Sequence, residues 1–240
     1  MILRRNCQPP RRMMGGIRAP AESAPWMALL HLLDDLSSCR CGGTLITSNF
    51  ILTAAHCIKL CPRNQELRVC LGTKNVTSPN DCLENYGIER IIMHEEFNLY
   101  EQVNDIALLK LNGSVRKLGY IRPVCLPILP ASLQKFPDLG ANYHSFGWGV
   151  TEDGNQSTEL IQIQVQSSEC PYSSNGMFFC TTSHKVDSCQ GDSGGPMIAQ
   201  RLQFGIIAHG RIECGSAGGA FNTNVSYFMP WIVERLAEHL

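Results

Sequence analysis

Residues 187–196 read DSCQGDSGGP, a run that sets Ser193 among three glycines, two acids, a cysteine and a proline. A serine hydroxyl hardly ionises near neutral pH. It attacks a carbonyl only when something removes its proton and something else steadies the oxyanion it creates. The run can supply only half of that, so the base must lie elsewhere in the chain. Seven histidines are candidates, and His56 stands apart because it follows a strand-like stretch in LTAAHC (52–57) and adjoins Cys57, whose disulfide would pin it. A third group must hold the imidazole in one tautomer and stabilise its protonated form. Asp105, at the head of the apolar stretch NDIALLKL (104–111), fits that role.

The remainder of the chain agrees with a small, stapled, strand-rich protein. At 240 residues with 44% hydrophobic and 17% charged side chains, it can bury one large core or two modest ones. Twenty basic against twenty-one acidic side chains leave a formal charge of -1. No overall field therefore steers it to nucleic acid or an anionic membrane, and neither is an expected partner. Twelve cysteines, an even number, point to disulfides formed in a secretory compartment, so extracellular residence is expected. MILRR is too short for a secretory signal, which suggests that the sequence is a fragment of a longer secreted chain. Sequons at Asn75, Asn112, Asn155 and Asn224 accord with secretion.

Periodicity predicts mostly short strands between Gly, Pro and Asn turns. In LIQIQVQ (160–166), Ile161, Ile163 and Val165 alternate with glutamines, the period of a strand with one dry and one wet face. The stretch from Asp105 is apolar on both faces and suits a closed sheet. PWIVERLAEHL (230–240) opens on Pro230 and spaces Ile232, Leu236 and Leu240 by four, which predicts a C-terminal helix docked by one face. Many even-length strands with one terminal helix predict an all-β protein of two antiparallel barrels, divided near RPVCLP (122–127).

LTAAHC, NDIALL and GDSGGP, in this order over nearly the whole chain, resemble the chymotrypsin family of trypsin-like serine endopeptidases. The resemblance implies two six-stranded barrels with the catalytic cleft between them. It implies a first barrel over 13–121, a second over 122–226 and a helix over 227–240, together a peptidase domain at 13–240 behind an activation-peptide remnant at 1–12. It implies that Ser193 attacks the scissile carbonyl, His56 takes its proton and Asp105 orients His56, with backbone N–H groups of Gly191 and Ser193 as the oxyanion hole. Asp187 matches the base of the pocket that selects Arg or Lys, and Asp192 the residue that pairs with a freshly cut N-terminus. RRMMGG (11–16) resembles the activation site, with cleavage after Arg12 freeing Met13, although the family usually has Ile there.

The resemblance also assigns Cys41 to Cys57, Cys170 to Cys180, Cys189 to Cys214, and Cys7 to Cys125, the last keeping a cut N-terminal piece attached. Cys39, Cys61, Cys70 and Cys82 remain, with three connectivities open; Cys70 with Cys82 and Cys39 with Cys61 is the expected choice. A zinc reading of Cys39, Cys41, His56, Cys57 and Cys61 yields to the claim on His56, and no metal or other cofactor is expected. Tyr143 and Ala199 stand where many relatives carry another bridge.

Several positions depart from the family pattern. Ala208 and His209 replace the usual Ser-Trp at the pocket rim. Gly210 keeps one wall open, and the second wall falls on Gly219 or Ala220, depending on a gap. Without the gap, Asn222 replaces the tyrosine behind the pocket, and Arg against Lys stays undecided. Thr73 stands at a calcium-ligand position of some relatives, so no tight site is expected there, while Asp81 and Glu84 could form a weak one.

The expected function is a secreted endopeptidase, made as a zymogen, that cuts after Arg or Lys in a regulatory cascade. Its expected partners are a protein substrate and an upstream activating protease, with a serpin-type inhibitor possible. The extra cysteines and missing bridge resemble invertebrate clip-domain relatives. Alternatives are a digestive protease and a non-catalytic protease-like binding or cofactor protein, which usually lacks a triad residue. GDSGG also satisfies the G-x-S-x-G elbow of α/β hydrolases, but those enzymes run Ser, acid, His, the wrong order for this chain.

Overall fold

The computed structural model describes residues 17–33, 39–62, 65–73, 75–78, 81–116, 119–128, 139–150, 155–170, 176–182, 191–209 and 220–239. After a two-residue strand β1 (Ile17–Arg18), the chain forms β2 (Met27–Leu32), β3 (Cys41–Leu45) and β4 (Phe50–Thr53). A short helix α1 (Ala55–Lys59) follows, then β5 (Leu67–Leu71), β6 (Glu84–Met93) and β7 (Ala107–Leu111). Strands β2 to β7 close into a barrel in the order β2-β3-β4-β7-β6-β5, every pairing antiparallel. All six residues of β2 and all four of β4 are buried. Such two-faced burial accounts for the mostly apolar sequence of these strands, and the two polar side chains among them are paired: His31 Nδ1 lies 2.7 Å from the Leu32 carbonyl and Thr53 Oγ1 donates to the Gly42 carbonyl at 2.8 Å.

The second half supplies β8 (Asn142–Gly147), β9 (Ile161–Ser168), β10 (Phe178–Thr182), β11 (Pro196–Ala199), β12 (Leu202–His209) and β13 (Ala220–Asn224). These run β9-β10-β13-β12-β11-β8 and close through β8 against β9, with β1 added to the free side of β9. The protein is thus two six-stranded antiparallel barrels. The alternation expected for 160–166 holds at Ile163 and Val165 but not at Gln162, which is buried and hydrogen-bonds His144 Nδ1 at 2.9 Å. A polar side chain is accepted in the interior there because a neighbouring strand supplies its partner.

Where the common bridge at 143 and 199 is missing, an aromatic cluster fills the space. Tyr143 is 1% exposed, packs its ring 5.2 Å from Phe179, and shares its cluster with Met197, Ile207 and Ala199. The pairing of Ile198 with His144 sets Tyr143 and Ala199 on adjacent strands.

The final helix α2 (Val225–His239) begins five residues ahead of Pro230, earlier than the proline predicts. Asn224 is the reason: its Oδ1 accepts the backbone N–H groups of Ser226 (3.0 Å) and Tyr227 (3.4 Å), a cap that satisfies donors the helix cannot. The helix buries Phe228, Met229, Trp231, Ile232 and Leu236. Each large aliphatic or aromatic side chain so buried contributes about 1.5–3 kcal/mol. The His94 ring is held between Phe228 and Trp231, with centroids at 5.4 and 5.2 Å, and Trp231 Nε1 donates to Glu95. In this way the end of the chain is fastened to the first barrel. Among the described residues no helix is long and apolar enough to cross a membrane.

Candidate active site

The seam between the barrels is tied by polar bonds that converge on a few residues. Thr44 Oγ1 on β3 donates to Gln203 Oε1 on β12 at 2.7 Å, both buried. Thr223 Oγ1 on β13 donates to the carbonyl of Asp105 at 2.9 Å, which fixes the residue just ahead of β7 from the opposite barrel. Asp105 is 3% exposed, and a carboxylate so buried needs partners. Both its oxygens find them on one residue: Oδ1 accepts the His56 backbone N–H at 2.8 Å and Oδ2 lies 2.6 Å from His56 Nδ1. A carboxylate can only accept, so Nδ1 carries the proton of that pair and Nε2 is left as an acceptor, 3.7 Å from Cys57 Sγ.

The scaffold that holds His56 is short and heavily fastened. It lies in the five-residue helix α1, which no side chain caps, so its position depends on covalent and tertiary ties. Cys57 is bonded to Cys41 on β3, and Cys61, just past the helix, is bonded to Cys39. Cys70 is bonded to Cys82, and Cys170 to Cys180. No described cysteine is free. The grouping of Cys41, His56 and Cys57 therefore offers no thiolates to a metal, because both sulfurs are spent on each other. Cys125 is also disulfide-bonded.

Ser193 lies on a turn gripped from both barrels. The N–H of Gly42 on β3 donates to the Ser193 carbonyl at 2.7 Å, and that of Gly194 to Ile207 on β12 at 2.8 Å. Gly195 N–H closes the turn onto the Asp192 carbonyl at 2.9 Å. Gly194 has φ +79°, and a Cβ there would press into Thr53 Oγ1 and the Gly42 carbonyl and stand 3.2 Å from Cys57 Sγ. Only glycine satisfies both the left-handed backbone and the closeness of that approach. The same closeness puts the residue after Ser193 against the disulfide next to His56. Among the described residues no hydrogen bond joins the Ser193 hydroxyl to His56, a contact that often tightens only with substrate bound. Asp192 Oδ1 accepts the N–H of Gly149 at 2.8 Å.

The other expected site residues divide between placed and undescribed. Asn222 is fully buried on β13, its amide donating to Thr181 Oγ1 at 3.1 Å and the Ala220 carbonyl at 3.2 Å. Ala208 and Ala220 are likewise buried. His209 ends β12, with its side chain outside the described residues, as are Asp187, Gly210, Gly219, Arg12, Met13, Cys7, Cys189 and Cys214. In the loop after β5, Asp81 Oδ2 already accepts Thr77 N, Thr77 Oγ1 and Ser78 N, each at 2.8 Å, and these bonds hold its carboxyl below its usual range. Glu84 is bonded by the Tyr86 hydroxyl and the Arg116 N–H. Arg40, Thr44, Gln203 and Thr223, which organise the seam, went unnoticed in the sequence. Arg40 alone had a signal there, being enclosed between two cysteines in CRC.

Comparison with known proteins agrees with this geometry. The Trypsin family model matches residues 13–232. The chain is 33% identical over 262 residues to "Serine protease grass" of Drosophila melanogaster, covering 95% of this chain and 69% of that protein. It is 32% identical over 261 residues to "CLIP domain-containing serine protease HP8" of Bombyx mori, covering 95% of this chain and 70% of that one. Among solved structures, human heparin binding protein superposes with a TM-score of 0.79 at 23% identity, over 94% of this chain and 97% of the other; that likeness is one of fold. With a family match across nearly its whole length, relatives above 30% identity and a fold of two six-stranded barrels, this chain belongs to the trypsin family of serine endopeptidases.

Proposed function

We propose that the protein is a secreted, trypsin-like endopeptidase of a regulatory cascade, made as a zymogen and switched on by cleavage after Arg12. The observation that carries the catalytic part is the double bond of Asp105 to His56, 2.8 Å to the backbone and 2.6 Å to Nδ1. With Nδ1–H directed at Asp105, Nε2 accepts the Ser193 proton as Oγ attacks the scissile carbonyl. The carbonyl oxygen becomes an oxyanion, received by the N–H groups of Gly191 and Ser193. The tetrahedral intermediate collapses by breaking the C–N bond, and His56 gives its proton to the leaving amine. Water, deprotonated by the same Nε2, then releases the acyl group and restores Ser193.

Asp187 at the base of the pocket selects a basic side chain, since an apolar one would leave a buried carboxylate unpaired, at a cost of several kcal/mol. Met13, freed by the cut, brings its ammonium to Asp192, and the Cys7–Cys125 bridge keeps residues 1–12 attached. The likeness to clip-domain proteases supports a cascade role, with a protein substrate and an upstream activating protease as partners. Secretion accords with the disulfides and with exposed sequons at Asn75, Asn112 and Asn155. The Asn224 sequon is excluded from glycosylation in the folded protein, because its amide is fully buried and donates to Gly176 at 2.9 Å.

Profiling the chain on a mixed peptide library before and after cleavage at Arg12 tests the reading. Cuts after Arg and Lys that arise only on activation are expected. Equal activity of the uncut chain overturns the zymogen part, and cuts after apolar residues overturn the role given to Asp187.

A further inference from the structure

Arg40 comes from the first barrel and grips the second. It precedes β3 and is flanked by Cys39 and Cys41, both disulfide-bonded, so its backbone is fixed on either side. Its side chain crosses the seam to residues 156 and 157. Nη2 donates to the Ser157 carbonyl at 2.6 Å and Nη1 to Gln156 Oε1 at 3.3 Å. That segment is one leg of a paired structure: Ser157 N–H donates to the Gly149 carbonyl at 3.0 Å, and Gln156 bridges to Val150.

The other leg bears directly on the turn that carries Ser193. Gly149 N–H donates to Asp192 Oδ1 at 2.8 Å. A Cβ built on Gly191 would stand 3.1 Å from Gly149 Cα and 3.6 Å from both Gln156 Nε2 and the Trp148 carbonyl. The Gly191–Ser193 turn therefore rests on the paired residues 148–150 and 156–157, and Arg40 holds 156–157 through the Gln156 side chain and the Ser157 carbonyl. Burial lowers the Arg40 pKa, and the Asp192 charge acting on the guanidinium offsets part of that. Arg40 stays cationic, and charge-assisted bonds of this kind are about twice as strong as neutral ones.

We propose that Arg40 is a positioning residue: by pinning residues 156–157, and through them 149–150, to the first barrel, it keeps the Gly191–Ser193 turn in the shape that receives the developing oxyanion. The proposal rests on the peptidase reading and adds a part to it. A loosened turn affects the transition state and leaves ground-state binding in the pocket alone, so the effect falls on kcat and spares KM.

The test uses the Arg12-cleaved chain with Arg40→Gln and Arg40→Lys. Two inhibitors separate the effects: benzamidine, an amidine held by the pocket, and a peptidyl argininal, an aldehyde that adds Ser193 Oγ to give a hemiacetal dependent on the oxyanion donors. R40Q is expected to lose about tenfold in kcat on an arginyl anilide, the size of one donor weakened rather than removed. Its KM should change by less than about twofold, the aldehyde should bind about tenfold more weakly, and benzamidine should bind as before. R40K, which keeps the charge and can reach one acceptor, should recover part of the loss. Should R40Q not fold, R40K alone decides, with the same split at about two- to fivefold.

R40Q with unchanged kcat, or equal weakening of both inhibitors, overturns the role of Arg40 while the peptidase reading stands. A cleaved parent chain that neither hydrolyses the anilide nor binds the aldehyde overturns both.

Discussion

Replacing Asp105 by asparagine tests the orientation of the base at a single atom. The side-chain oxygen of the substituted amide would keep the bond that Oδ1 now makes to the His56 N–H, at 2.8 Å. Its NH2 group then occupies the place of Oδ2, 2.6 Å from His56 Nδ1. Two donors cannot face each other, so the ring shifts its proton to Nε2 and offers no lone pair to Ser193. The imidazolium that forms in the transition state also loses its counter-charge. At about 4 Å and an effective dielectric near 20, that attraction is about 4 kcal/mol, which is roughly a thousandfold in rate. The wrong tautomer adds to this, giving an expected fall of about 10³ to 10⁴ in kcat. Folding should survive, because the Thr223 bond is to the Asp105 backbone. The assay is hydrolysis of an arginyl anilide by the cleaved chain, with circular dichroism to confirm the fold. A D105N protein that keeps more than about a tenth of the parent kcat would refute the reasoning.

Three further perturbations follow from the geometry. Gly194→Ala forces a side chain into a left-handed backbone and against the Gly42 carbonyl and Thr53, so melting should report a loss of at least about 3 kcal/mol, with activity lost too; an unchanged Tm contradicts the packing described. The Cys39–Cys61 bridge closes a 22-residue separation, and a Cys39→Ser/Cys61→Ser double variant should lose about 3 kcal/mol, or roughly 6–12 °C in Tm. Burial lowers the pKa of His31, His94 and His144, so these rings bind fewer protons folded than unfolded as pH falls below about 6.5. Their stabilising contribution is present above that pH and lost below it. Tm should therefore drop between about pH 7.5 and about pH 5, and a flat profile would contradict the burial of these rings.

The sequence disclosed the parts of the protein that repeat along the chain, and hid the parts made by two distant segments meeting. Strand periodicity survives at Ile163 and Val165 because each residue's burial follows from the pleat. It fails at Gln162, whose partner His144 lies on another strand. The helix was legible from Ile232 and Leu236, but its start was not, since Asn224 caps it from the end of a strand and Pro230 gave a stronger local signal. At the site, His56 and Asp105 stood out because their chemistry needs specific neighbours in the chain. Arg40, Gln203 and Thr223 act across the seam, and nothing adjacent to them in the sequence says which carbonyl or amide they will meet. Tyr143 is similar: its sequence position showed that a bridge was absent, while the aromatic packing against Phe179 that fills the site came only with the fold.

The central claim is that Ser193, with His56 behind it, is an activated nucleophile, and a fluorophosphonate probe reads this without knowledge of the substrate. Mass mapping of the Arg12-cleaved chain should find one adduct, on Ser193, that disappears in His56→Ala. No adduct on Ser193, or equal labelling in H56A, would contradict the account.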